Sequence, residues 1–256
     1  MGITEEDLMP TAVELIQSGN ERGVPLRLVG GLAVRYLTPD FPPRTRTQQD
    51  LDFATSSDFK KPLIDYLAER GFVGDKRFNN LHGHKQMYFQ TAEGRALDVM
   101  VDKLEMCHVL DFKDRLGRLP VTLDVADLML TKLQIVELNQ KDAQDVIYLM
   151  AAFPVAGGDE PGTVSLGRIT ATVAEDWGWW RTVTMNLDKI RDLAMGEGAS
   201  LVPDGAPHDA VEQIGRVRGA IDEAPKGFKW KLRAKVGDRK KWYREVDELP
   251  PAVEEM

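Results

Sequence analysis

The chain has 256 residues, 43% of them hydrophobic and 29% charged, which is the balance of a folded globular protein and excludes general disorder. Its formal charge of −8 argues against sequence-independent coating of DNA, and no run of about 18 apolar residues is present to make a transmembrane helix. Cys107 is the lone cysteine, so no internal disulfide forms, and the acidic start MGITEEDLMP lacks the apolar stretch of a secretory signal; a cytoplasmic location is expected.

In chain order, residues 4–22 predict a helix, with Thr4 and Asp7 resembling a capping box and Leu8, Ala12, Leu15 and Ile16 on one face. Gly23 and Pro25 end it. Residues 26–29 predict a short strand that closes on Gly30-Gly31, and a helix over 32–37 stops before Pro39. After a loop over 40–49, Leu51 and Phe53 alternate with Asp50 and Asp52 as in a strand, and a helix follows over 59–70. Further strands are expected at 72–73, 85–91 and 96–102, the last two joined as a hairpin through Gly94. From Val125 the period becomes helical, with Leu128, Met129, Leu133 and Val136 in one stripe, and a second helix covers 141–152. Pro154, Gly157, Gly158, Pro161 and Gly162 mark a linker, beyond which the chain reads as helical with breaks at 196–207 and 225–227. The pattern is a strand-and-helix core over 1–122 followed by a helical region over 123–256.

Residues two apart on a strand share a face, so Asp50 and Asp52 project together. Paired carboxylates repel unless a cation lies between them, and Mg²⁺ takes one or two carboxylates while keeping water and phosphate oxygens as its other ligands. In the strand 96–102, Leu97, Val99 and Val101 form the apolar side and leave Asp98 and Asp102 on the other, where Asp98 can close a cluster of three. Taken alone, an acidic pair is more often a solvated strand end. Gly30-Gly31 supplies context, because a glycine turn opening a helix lets backbone N–H groups approach phosphate oxygens; a plain tight turn is the competing reading.

Lys132 sits inside the apolar stripe and must reach water, a carboxylate or a bound anion such as phosphate. Asp142 fits the third position of a helix capped by Asn139, whereas Asp145 on the same face has no such simple role. Arg46, four residues before Asp50, either reaches the phosphates, fixes the Asp loop or stays in solvent. His82 and His84 have no Cys or third His nearby, so zinc is not expected, and His84 or Lys85 reads as a polar group on the substrate side. Trp177, Trp179 and Trp180 are expected in the core of the helical region. Residues 226–244 carry nine basic groups against Asp238 alone, a net +8 that leaves −16 on the rest of the chain. With Phe228, Trp230, Trp242 and Tyr243 interleaved, this segment suits nucleic acid, or is a basic arm whose aromatic residues pack on the body; the second reading is preferred.

The order Val29-Gly30-Gly31-Leu32-Ala33, Asp50-Leu51-Asp52-Phe53, Leu97-Asp98-Val99 resembles the nucleotidyltransferase superfamily with the polymerase-β-type fold. Leu130-Thr131-Lys132-Leu133-Gln134 and Lys141-Asp142-Ala143-Gln144-Asp145 narrow the resemblance to the AbiEii/MenT-like nucleotidyltransferases of type IV toxin–antitoxin systems. Gln48 departs from the Thr that relatives often carry there. The resemblance implies an α+β nucleotidyltransferase fold, a mixed sheet flanked by helices, with residues 123–152 of the helical C-terminal region completing the site. It implies Mg²⁺-dependent transfer of NMP from an NTP to a hydroxyl. Asp50 and Asp52 would ligate the metal, and Asp98 would be a third ligand or the base. Gly30 and Gly31 would cradle the triphosphate, with Arg46 nearby, and Lys132 with Asp142 or Asp145 would join the site. A tRNA 3′ end is the first acceptor expected, then a protein hydroxyl, then a small molecule; a toxin would bring a cognate antitoxin. The competing class is a non-catalytic RNA- or protein-binding relict of the fold.

Overall fold

The computed structural model describes residues 5–43 and 50–246. Thr4, half of the expected capping box, and Arg46 lie outside the described residues. The first part of the chain runs α1 (Glu5–Glu21), β1 (Arg27–Leu28), α2 (Gly30–Leu37), β2 (Leu51–Thr55), α3 (Lys60–Glu69), β3 (Val73–Gly74), α4 (Lys76–His82), β4 (Gln86–Gln90) and β5 (Ala96–Val101). A small hairpin of β6 (Lys103–Glu105) and β7 (Val109–Asp111) follows. The rest is α5 (Val125–Leu133), α6 (Gln140–Ala152), β8 (Val155–Ala156), β9 (Val164–Ser165), α7 (Leu166–Glu175), α8 (Trp177–Met195), α9 (Ala210–Glu223) and α10 (Phe228–Val236). The architecture is α+β.

Its centre is a five-stranded mixed sheet in the order β1-β2-β5-β4-β3. Only β2 and β5 are parallel, and the remaining pairs are antiparallel. The β4–β5 hairpin turns through Gly94 at φ 83°, a left-handed conformation that glycine adopts without the Cβ penalty. Period-2 alternation fixes the faces. Leu51, Phe53, Met87, Phe89, Leu97, Val99 and Val101 are buried with Leu8, Leu15 and Leu67 of α1 and α3, while Asp52, Gln86, Tyr88, Asp98 and Met100 lie half-buried on the opposite face. That second face, left partly open, carries the candidate site.

The apolar core is continuous from Leu8 to Ile221 and joins sheet to helices. The segment read as a linker is packed: β8 pairs with β9, and Asp159 receives Arg115 Nη1 at 2.7 Å and Arg118 Nη2 at 3.0 Å. Arg115 Nε also reaches the fully buried Asp127 of α5 at 2.6 Å, which Arg168 of α7 meets from its other side at 2.8 Å. Asp124 caps α5 by accepting from Val125 N and binds Gly162 N, both at 2.9 Å. These ion pairs join residues far apart in sequence, so glycine and proline content alone misread the segment.

Trp177 and Trp179 are buried and Trp180 half-buried. The aromatic residues of the basic segment pack on this body. Trp230 meets Trp180 edge-on at 5.2 Å, Trp242 meets Trp177 at 6.1 Å and donates from Nε1 to Thr182 Oγ1 at 3.0 Å, and Arg233 stacks over Trp177 at 4.5 Å. Phe228 alone among them stays largely exposed, at 76%.

Candidate active site

The site begins with register. In the parallel β2–β5 pair, Asp52 lies directly opposite Asp98, so the two carboxylates stand side by side on the open face. Leu51, Phe53, Leu97 and Val99, each buried on the other face, lock that register, since a slip of one residue would turn the slipped strand's acid into the core and its apolar residues out of it. Asp50 immediately precedes β2 and is exposed at the rim.

Asp98 is held from the β4 side. Gln86 donates from Nε2 to Asp98 Oδ1 at 2.7 Å. Burial raises the Asp98 carboxyl above the usual carboxylate range, the Gln86 bond opposes this, and the charge of Asp50 adds to the rise. Tyr88, paired with Asp98 in register, has its phenol pushed up by burial and then by Asp98 and Asp50. The open face therefore carries a concentrated negative field.

The glycine turn abuts these acids. Gly30 has φ +67°, and a Cβ placed there would lie 2.7 Å from Asp52 Oδ2. Val29 N donates to Asp52 O at 2.9 Å and ties the turn to β2. Helix α2 begins at Gly30 itself, two residues earlier than its apolar pattern suggests; Val29 gives it no side-chain cap, and its first turn holds no acidic residue. Gly31 is buried beneath the turn. The helix N-terminus, with its unsatisfied N–H groups, thus faces the carboxylate pair.

Asp102 does not join Asp98. It follows the end of β5 at φ +62°, and its Oδ1 accepts from Ser57 N at 2.8 Å. The change of backbone hand after Val101 ends the alternation that the sequence pattern assumed. His82 ends helix α4, and His84 lies in the exposed turn after it.

A second cluster lies on α5 and α6. Lys132 Nζ contacts Asp142 Oδ1 at 2.6 Å and Asp145 Oδ2 at 3.1 Å, so protein carboxylates supply the anion that its place in the apolar stripe requires. Burial works to lower the Lys132 pKa, but Asp145 and Asp142 outweigh it and hold the ammonium above its usual range. Asn139 caps α6 through Asp142 N at 2.9 Å, as the spacing implied, and its Nδ2 also donates to Asp142 Oδ2 at 2.8 Å. Asp145 is fully buried. Helix α2 packs against both α5 and α6, the two helices that carry this cluster, and Tyr148 of α6 donates to Pro42 O at 3.1 Å.

Among the described residues, no three His, Cys, Asp or Glu side chains converge as a preformed metal cage. The paired Asp52 and Asp98, with Asp50 at the rim, form an all-oxygen donor set in a negative field. Such a set fits a hard cation of the Mg²⁺ type, which needs few protein ligands. Sequence reasoning missed Gln86, whose role appears only when β4 pairs with β5, and the Arg115–Asp127–Arg168 network, for which spacing offers no signal.

No protein family and no curated protein matches the chain by sequence. Among solved structures, the chain is similar to the lincosamide antibiotic adenylyltransferase LnuA in its lincomycin-bound form, with 16% identity, a TM-score of 0.40 and coverage of 58% of this chain and 98% of that one. It is also similar to an antigenic nucleotidyltransferase-like protein from Paracoccidioides brasiliensis, at 15% identity and TM-score 0.41, over 78% and 94% of the two chains. The antibiotic-resistance factor ANT(2'')-Ia matches at 12% identity and TM-score 0.37, over 88% of this chain and 93% of that one.

Proposed function

We propose that the chain is a Mg²⁺-dependent nucleotidyltransferase, moving a nucleoside monophosphate from an NTP to an acceptor hydroxyl. The observation that carries this reading is the Asp52–Asp98 pair lying in register beneath the Gly30 turn. Residues 1–122 bear the carboxylates and residues 123–152 complete the site. The finer reading is an AbiEii/MenT-like toxin in the cytoplasm, with a tRNA 3′ end as acceptor and a cognate antitoxin as partner; its support is the Leu130–Gln134 and Lys141–Asp145 sequence.

Asp50 and Asp52 would hold the cation, whose charge would draw the triphosphate in and polarise its α-phosphorus, and Asp98 is then left to serve as base. The backbone N–H groups at Gly30 and Gly31 bind phosphate oxygens. The acceptor oxygen attacks the α-phosphorus, the bond from that phosphorus to the β-bridging oxygen breaks, and pyrophosphate leaves. The acceptor proton passes to Asp98 Oδ2, because Oδ1 is engaged by Gln86 and burial has raised the proton affinity of the group. Lys132, Asp142 and Asp145 act as one unit that positions α2 and, with it, the phosphate-binding turn.

The test uses the full chain with Mg²⁺, each α-labelled NTP in turn, total RNA and a protein extract, in parallel with Asp52→Asn. Label on RNA that vanishes in the variant supports the reading and identifies the nucleotide. Label on protein or on a small molecule keeps the transfer and replaces the acceptor. Neither label nor Mg²⁺–NTP binding sinks the enzyme reading in favour of a binding protein.

A further inference from the structure

Beside Asp98 the open sheet face runs into a cleft of about 450 Å³ that includes Gln86, Met100, Lys85, Lys103, Glu105 and Arg244. Met100 is two residues beyond Asp98 on the same face of β5, roughly 7 Å along the strand. Gln86 is shared outright, forming part of the cleft wall while bonded to Asp98 Oδ1.

The far wall is the C-terminal segment. Its place is fixed by Trp242 against Trp177 and Thr182, and by Arg244 N donating to Cys107 O at 2.9 Å. The Arg244 side chain is 61% exposed. Three cations here share a single carboxylate: Glu105 lies 2.7 Å from Lys103 but 3.9 Å from both Lys85 and Arg244. The longer two separations exceed hydrogen-bond range, so the Lys85 ammonium and Arg244 guanidinium have N–H donors that no described residue takes up. Glu245 at the rim is engaged by Lys241. A concave surface with two surplus positive charges attracts anions.

We propose that this cleft is the acceptor subsite and takes a phosphate-bearing acceptor, its phosphate held by Lys85, Lys103 and Arg244 while its hydroxyl reaches Asp98. This rests on the transferase reading above for the hydroxyl alone; the phosphate site is testable without catalysis. Two cations that reach their shared carboxylate only at ion-pair distance, and the path along β5 to Asp98, are what distinguish the cleft from an ordinary solvated surface.

The experiment measures anisotropy of a short fluorescent single-stranded RNA on the full chain across a salt series, with inorganic phosphate as competitor and as ligand in thermal shift. Lys85→Gln combined with Arg244→Gln should weaken RNA binding about tenfold or more. It should also flatten the slope of log K against log salt by about 1.4, the loss of two phosphate contacts. Arg244→Lys should restore part of the affinity, and Lys229→Gln with Lys231→Gln on α10, outside the cleft, should cost much less. If RNA fails to bind but inorganic phosphate stabilises the wild type and not the double variant, the source is a small phosphorylated acceptor. Equal losses in the cleft and α10 variants, or no binding of either probe, overturn the proposal. Mg²⁺–NTP binding, measured alongside, reports separately on the transferase reading.

Discussion

Gly30 and Asp52 are in contact in a way that leaves no room for a side chain. The glycine adopts φ +67°, and the space a Cβ would occupy is 2.7 Å from Asp52 Oδ2. Two costs therefore coincide at Gly30→Ala: a left-handed residue bearing a Cβ, at about 1–2 kcal/mol, and displacement of the carboxylate or the turn. Urea unfolding should show that loss, and Mg²⁺–NTP binding should weaken further than the stability change explains. Wild-type NTP binding in this variant would mean that the turn does not hold phosphate.

The Gln86–Asp98 bond makes a pH prediction. In the proposed role of base Asp98 would have to be ionised, and its carboxyl is already raised by burial, with Gln86 pulling it down. Gln86→Leu removes the lowering influence, so the acid limb of the pH–rate profile should move to higher pH. Asp98→Asn should lose activity by roughly a hundredfold or more. An unmoved acid limb in Gln86→Leu would remove Asp98 from the role of base.

The Lys132 cluster should behave as a buried ion triplet. Lys132→Met removes the ammonium that faces the fully buried Asp145 and the adjacent Asp142, and is expected to destabilise the fold by about 3–5 kcal/mol. Adding Asp145→Asn should recover much of that loss in thermal unfolding. Full stability in Lys132→Met alone would show that the pair is not energetically coupled.

His108 should make the protein sensitive to mild acid. Burial pushes its imidazole down to about 4, with Asp176 opposing and Arg244 reinforcing the shift. Above the unfolded pKa of 6.5 both states are neutral and the residue costs nothing. As pH falls from there towards 4 the unfolded chain takes up a proton that the folded chain refuses, and stability drops, by at most about 3 kcal/mol. Chemical denaturation across that range should show the decline, and His108→Gln should remove it.

The parts of the molecule legible in the sequence are those with a strong local signature. Apolar alternation placed β2, β4 and β5 and the buried faces of each, and Gly94 marked the hairpin. The helical stripe placed α5, and Asn139 with Asp142 marked the start of α6. Helix α4, the β6–β7 hairpin and the β8–β9 pair were missed, because elements of two to seven residues contain too few periods to stand out. The handedness change at Asp102 and the ion pairs of Asp159 have no local signature at all.

The sequence by itself determined which residues carry charge into an otherwise apolar pattern: Asp50, Asp52, Asp98, Lys132 and Asp145 all stand out against their neighbours. Tertiary structure decided which of these meet. Strand pairing puts Asp52 opposite Asp98 although they are far apart along the chain, and helix packing gives Lys132 to Asp142 and Asp145. It also folds the C-terminal segment back so that Arg244 faces the cleft beside Gln86. Local periodicity encodes the direction in which a side chain points, but the identity of its partner is set by the register and packing of the folded chain.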